Sequence, residues 1–106
     1  MEEEFLIETF AEDETLGLRV HGELDTVTAE QLLRAVQSWP EKVNTCVVDL
    51  EDCDFLDSSG IRALLLSQRH LDGGKGKGTM RLVNVSPHID RVLRIAGVQE
   101  IIKIEG

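Results

Sequence analysis

The stretch Cys53-Asp54-Phe55-Leu56-Asp57-Ser58-Ser59-Gly60-Ile61-Arg62 decides how the chain is read. It follows the apolar run Thr45-Cys46-Val47-Val48-Asp49-Leu50 and precedes Ile61, Leu64, Leu65, Gln68 and Leu71, which recur at helical spacing with Leu66 widening the face. It is therefore a strand-to-helix connection carrying two acids, two hydroxyls and a glycine. The first N–H groups of a helix lack helical partners and sit at the positive end of its dipole, so negative charge is favoured there. Ser58 and Ser59 stand where an anion is tolerated and where one can be attached. From spacing alone Ser58 reads as an N-cap. A capping hydroxyl near the surface can also be a kinase substrate, and the two roles are compatible.

Working outward, Phe5, Ile7 and Thr9 alternate with Leu6, Glu8 and Phe10 as in a short strand, and Leu16, Leu18 and Val20 alternate with Gly17, Arg19 and His21 in a second. The polar link Ala11-Glu12-Asp13-Glu14-Thr15 makes the pair an antiparallel hairpin. Gly22-Glu23-Leu24-Asp25 closes the second strand. Thr28-Ala29-Glu30-Gln31 reads as a capping box ahead of a helix with Leu32, Leu33, Val36 and Trp39 inward, Glu30, Arg34, Gln37 and Glu41 in water, and Pro40 as its stop. The nearly continuous apolar run 45–50 reads as a strand covered on both faces. After the second helix, Gly73-Gly74-Lys75-Gly76-Lys77-Gly78 cannot hold a helix. Met80, Leu82, Val83 and Val85 form a strand. Ser86-Pro87 starts a helix carrying Ile89, Val92, Leu93 and Ala96, Gly97 caps it, and Ile101-Ile102-Lys103-Ile104 is a last strand. The expected order is β-β-α-β-α-β-α-β: an α/β fold whose mixed sheet is mostly parallel, with an antiparallel first strand, packed with about three helices.

The 106 residues suit one domain spanning 1–106, and a chain of this size buries on the order of 65% of its unfolded surface. Hydrophobic residues make up 42%, as in globular proteins. A net charge of −9 argues against a broad nucleic-acid face, which needs cations to displace counterions. No run approaches the roughly 18 apolar residues of a membrane helix, and Met1-Glu2-Glu3-Glu4 is the reverse of a basic signal-peptide start. Cys46 and Cys53 form no CxxC pair, so no zinc or redox motif is expected and a reducing cytoplasm is the default compartment.

The chemistry these residues allow is narrow. As an enzyme nucleophile Ser58 needs a base within hydrogen-bond reach, yet His21, His70 and His88 form no recognisable triad, and Asp57-Ser58-Ser59-Gly60 is not the Gly-x-Ser-x-Gly elbow. Asp25, Asp49, Asp54 and Asp57 match no metal-loop spacing and read as turn and helix caps, so no metal or cofactor is expected. Gly76-Lys77-Gly78-Thr79 fails as a phosphate loop, because glycine stands where Ser or Thr should follow the lysine and a strand follows rather than a helix. Trp39 reads as core or helix-end packing.

Taken together, Gly22-Glu23-Leu24-Asp25, Thr28-Ala29-Glu30, Val47-Val48-Asp49-Leu50, Phe55-Leu56-Asp57-Ser58-Ser59-Gly60-Ile61 and Asn84-Val85-Ser86-Pro87 with Arg91-Val92-Leu93 and Gly97 resemble, in order and spacing, STAS domains of the bacterial anti-sigma factor antagonists. The resemblance covers roughly residues 5–104. It implies a cytoplasmic binding protein rather than an enzyme, with no cofactor. The unphosphorylated form is expected to hold an anti-sigma factor that is itself a serine kinase, freeing a sigma factor. The kinase modifies the serine after the aspartate, here Ser58, and a metal-dependent serine phosphatase resets it. By the same match Asp25 and Asp57 fall at the partner-facing surface near Ser58; Ser59, Gly60 and Arg62 beside them are taken as partner-binding too, with no nucleic acid and no membrane involved. Arg62 departs from the pattern, since many members carry a small residue there, and the Gly- and Lys-rich loop is longer than a minimal link. The chain also stops soon after Ile104, where many members continue into a last helix. A STAS scaffold of a stress-signalling complex, or an accessory subunit of a lipid-transport system, is the alternative within the family.

Overall fold

Leu16, Leu18 and Val20 are buried while Arg19 between them is exposed, so one face of the second strand carries the core. In the computed structural model, which describes residues 5–39, 43–73 and 78–106, that strand is β2 (Thr15–Leu24). It pairs with β1 (Leu6–Glu12) as the expected antiparallel hairpin, Leu6 opposite His21 and Glu12 opposite Thr15. Then follow α1 (Thr28–Gln37), β3 (Thr45–Asp49), β4 (Cys53–Leu56), α2 (Ser58–Asp72), β5 (Thr79–Val83), α3 (Pro87–Ile95), a 3-10 turn (Val98–Glu100) and β6 (Lys103–Ile104). The order expected from the sequence is present, with β4 and the 3-10 turn added to it. The sheet runs β1-β2-β3-β5-β6, parallel beyond the hairpin, and β4 pairs with the end of β2.

The core lies on one sheet face. Cys46, Val48, Met80 and Leu82 join the β2 leucines there, under Leu32 and Val36 of α1 and Leu64 and Leu71 of α2. The opposite face carries ion pairs: Arg19 to Asp49 at 3.4 Å and Arg81 to Glu105 at 3.1 Å. This corrects the reading of β3 as covered on both faces. Cys46 and Val48 are buried, but Thr45, Val47 and Asp49 are only half-buried, because charged neighbours on β2 and β5 keep that face in contact with water. Ser86 caps α3 as expected, its Oγ accepting from the Ile89 N–H at 3.3 Å with Pro87 first in the helix, and Gly97 takes the left-handed conformation at φ 81°. Pro40, Glu41 and the glycine- and lysine-rich positions 74–77 lie outside the described residues.

Helix α2 turns a narrower strip to the core than its large residues suggested. Gly60, Ala63, Leu64, Ser67, Gln68 and Leu71 are buried, whereas Ile61, Leu65 and Leu66 are half-buried. Small side chains at 60, 63 and 67 let the helix settle close to its neighbours. Gln68 then ties α2 to the start of β5. Its amide donates to the Gly78 carbonyl at 3.2 Å and to Asp72 Oδ1 at 2.9 Å, and its Oε1 accepts from the Met80 N–H at 2.9 Å. Gln68→Leu strands the buried Met80 N–H and the Gly78 carbonyl. The expected loss is roughly 1–3 kcal/mol, measurable as a lower denaturant midpoint at an unchanged slope.

Candidate functional site

The parallel pairing of β2 with β4 brings two helix starts side by side. Leu24 lies opposite Leu56, and each is followed by an aspartate and then a helix. Asp57 Oδ1 accepts from the backbone N–H of Ser59 at 2.8 Å and of Gly60 at 3.2 Å. Asp25 Oδ1 accepts from Val27 and Thr28, both at 3.0 Å, two and three residues on in the same way. The Asp57 N–H donates to the Leu24 carbonyl at 3.2 Å, and the hydroxyls of Thr26 and Ser59 meet at 3.2 Å. The expected Thr28–Gln31 capping box is not formed. Thr28 is already helical, and its hydroxyl accepts from the Asp25 N–H and donates to the Glu23 carbonyl, so the aspartate before the helix does the capping.

The same geometry separates the two serines. Asp57 is the N-cap of α2, so Ser58 is the first helical residue and its exposed hydroxyl is not needed as a cap. Ser59 is half-buried and tied to Thr26. Gly60 is buried, and its role differs from easing a tight turn: a Cβ there would lie 2.9 Å from Leu24 Cβ and 3.0 Å from the Leu24 carbonyl oxygen. Glycine is required because the helix start lies on the end of β2. Arg62 is exposed one turn after Ser58. Asp54 is exposed on β4, and one large apolar residue stands out in each turn, Phe55 beside Asp54 at 43% and Val27 two residues after Asp25 at 71% exposure.

The other candidates are engaged elsewhere. Asp49 lies on the open sheet face, where it meets Arg19 at 3.4 Å and accepts from Asn84 at 3.2 Å. No group of three or more metal-ligating side chains is gathered among the described residues. His21 sits between Glu8 at 2.8 Å and Asp52 at 3.3 Å, and no histidine hydrogen-bonds to Ser58 among the described residues. Cys46 and Cys53 are free and buried, and burial pushes both thiols up, Cys46 to about 12, so neither is a ready nucleophile. Trp39 is half-buried against the core.

Hydrogen bonds, first the Thr28 backbone N–H and then its hydroxyl, hold the Asp25 carboxyl below the usual value of 3.8. A carboxylate whose folded pKa is depressed contributes stability that is present above its unfolded pKa and lost as the pH falls through the lower, folded value. Asp25 thus makes the fold less stable below about pH 4. Asp25→Asn keeps an acceptor at this position but removes the titration, so melting curves of the variant should show a shallower decline as the pH falls below about 4 than those of the unaltered protein. Equal slopes would show that Asp25 is not coupled to folding.

Residues 7–106 match the family model for the STAS domain. The chain belongs to the STAS domain family. Over 87 residues, 80% of the chain and 73% of the relative, this STAS domain is 32% identical to the anti-sigma F factor antagonist of Lysinibacillus sphaericus. A solved structure of the Bacillus cell fate determinant SpoIIAA in its phosphorylated form is 28% identical with a TM-score of 0.71, covering 95% of this chain and 90% of that one. An anti-sigma factor antagonist from Mycobacterium paratuberculosis is 25% identical with a TM-score of 0.79, over 96% and 86% of the two chains. The mixed sheet and the three helices among the described residues of this STAS domain are the fold of these neighbours, and the Lysinibacillus and Mycobacterium relatives are named as anti-sigma factor antagonists. Among its described residues no helix is long and apolar enough to cross a membrane.

Proposed function

We propose that this STAS domain is an anti-sigma factor antagonist switched by phosphorylation of Ser58. The observation that carries the reading is the division of labour in the turn. Asp57 caps α2, which leaves the Ser58 hydroxyl exposed at a helix start with no structural duty. A phosphate on Ser58 adds about −1.5 to −2 charges at a site where the dipole of α2 tolerates them, so the fold persists while the surface becomes more negative. That a relative has been solved both unphosphorylated and phosphorylated supports a switch of this kind.

In this reading the unmodified domain holds a cytoplasmic anti-sigma factor that is also a serine kinase, and the sigma factor is released. The surface is built from Asp25, Asp57, Ser58, Ser59, Gly60 and Arg62. Asp25 and Asp57 shape it through the two helix starts, Ser59 through its tie to Thr26, and Gly60 by letting α2 sit against β2. Kinase modification of Ser58 ends binding, and a serine phosphatase restores it. The net charge of −9 leaves nucleic acid out of the scheme.

The test is to incubate the protein with its anti-sigma kinase and MgATP and to map the phosphate by mass spectrometry. One phosphate on Ser58 is expected, and none on Ser58→Ala. A Ser58→Ala protein that is still modified, with phosphate found elsewhere, would end the assignment.

A further inference from the structure

Beside Ser58 the two helices leave a cleft of about 300 Å³ open to solvent. Its walls are a face of α1 extended by Thr26, two residues before that helix, and a face of α2. Thr26, Ala29, Glu30 and Leu33 line one side, and Ser59, Arg62, Ala63 and Leu66 the other. Ser59, Arg62, Ala63 and Leu66 follow i, i+3, i+4, i+7, the spacing of one helix face, and span about 10 Å along α2. The mouth of the groove is the Thr26–Ser59 hydroxyl pair, and its far end holds Leu33 and Leu66, which packing within the chain leaves only half-buried. A volume this small and open suits side chains from another surface better than a whole enclosed ligand.

The charges in the groove are not balanced. Glu30 pairs with Arg34 at 3.7 Å, while Arg62 forms no ion pair among the described residues. A single uncompensated cation therefore stands in an apolar groove on a chain of net charge −9. The complementary object is an amphipathic helix with apolar anchors at i, i+3 or i+4 and an acidic residue at one end. Arg62 also lies four residues after Ser58 on the same helix, and an acid four residues ahead of a cation is the favourable order for a pair along a helix.

Resting on the reading of Ser58 as a switch, we infer that the α1–α2 groove receives an amphipathic helix of the anti-sigma factor, whose acidic side chain Arg62 holds until phosphate on Ser58 takes Arg62 for itself. Modification then acts twice, repelling the partner's acid and removing the cation that binds it.

Binding of the full chain to the anti-sigma factor, followed by calorimetry, tests this. Arg62→Gln should weaken binding tenfold or more without changing the melting temperature. Ser58→Asp should cost about a hundredfold in the unaltered protein but less than tenfold once Arg62 is Gln, because the two changes remove one shared contact. A photo-crosslinking residue in place of Leu66 should join the chain to a helix of the anti-sigma factor. Arg62→Gln binding like the unaltered protein, the two changes multiplying independently, or crosslinks only between two copies of this chain would each overturn the groove. If Ser58→Asp has no effect with Arg62 in place, the Ser58 switch fails first and the groove mechanism falls with it.

Discussion

Gly60→Val is expected to lower the melting temperature by roughly 10–20 °C. The glycine is the third residue of α2, and at an ordinary helical position replacing it with alanine gains about 0.5–1 kcal/mol of stability. At Gly60 the sign reverses. A Cβ would stand 2.9 Å from Leu24 Cβ, 3.0 Å from the Leu24 carbonyl oxygen and 3.2 Å from Leu56 Cγ, and two of these belong to side chains anchored in the core. Backbone cannot swing away as the tip of a lysine can, so α2 must lift off the end of β2. Overpacking of this kind costs about 1–3 kcal/mol for small additions, and the branched valine adds to it. In a domain of this size each kcal/mol moves the melting temperature by about 4–8 °C. Gly60→Ala should fall between the two proteins. Gly73→Ala is the control, since its Cβ would meet only carbonyl oxygens at 3.7 Å and should leave stability nearly unchanged. Scanning calorimetry on the four proteins decides the matter, and a Gly60→Val protein melting with the unaltered one would mean that α2 does not rest on Leu24.

Gly60 also shows where sequence reading reaches and where it stops. The turn, its place between strand and helix and its attraction for negative charge follow from local composition, because apolar periodicity and helix-end electrostatics are properties of neighbours in the chain. What glycine is for depends on Leu24, thirty-six positions earlier, and no local pattern carries that. Strand β4 escapes the sequence pattern for a related reason. Cys53-Asp54-Phe55-Leu56 has the burial order buried, exposed, exposed, buried, which matches neither alternation nor a continuous apolar run, and its pairing shifts register after Gly22 at φ 108°. The Thr28 capping box fits the sequence but loses to Asp25, whose carboxylate reaches two backbone N–H groups from three residues before the helix. Ser86-Pro87 was legible because the whole cap is contained in four consecutive residues. The family resemblance picked Ser58 over Ser59. The fold now adds a physical reason, since one hydroxyl is exposed and uncommitted while the other is half-buried against Thr26.

Ser58→Asp should weaken binding to the anti-sigma factor by about a hundredfold while moving the melting temperature by no more than about 3 °C. Two energies of different origin set these expectations. Within the folded domain the new carboxylate sits at the first position of α2, where the dipole favours it by about 0.3–1 kcal/mol, and the nearby carboxylate of Asp57 offsets part of that gain. Asp57 keeps the cap in either case, so stability barely changes. Across the interface no such cancellation operates. A charge about 6 Å from a partner carboxylate at an effective dielectric of about 20 costs roughly 3 kcal/mol, and 2.8 kcal/mol is a hundredfold in affinity. Real phosphate, carrying about twice the charge, should act more strongly than the aspartate that imitates it. The electrostatic origin has its own signature. At 1 M salt the screening length shrinks to about 3 Å, so the penalty of Ser58→Asp should contract sharply, whereas a loss caused by bulk alone would persist. A variant that binds as tightly as the unaltered protein at low salt would remove Ser58 from the interface. One that loses its fold would show that the serine, and not Asp57, secures the start of α2.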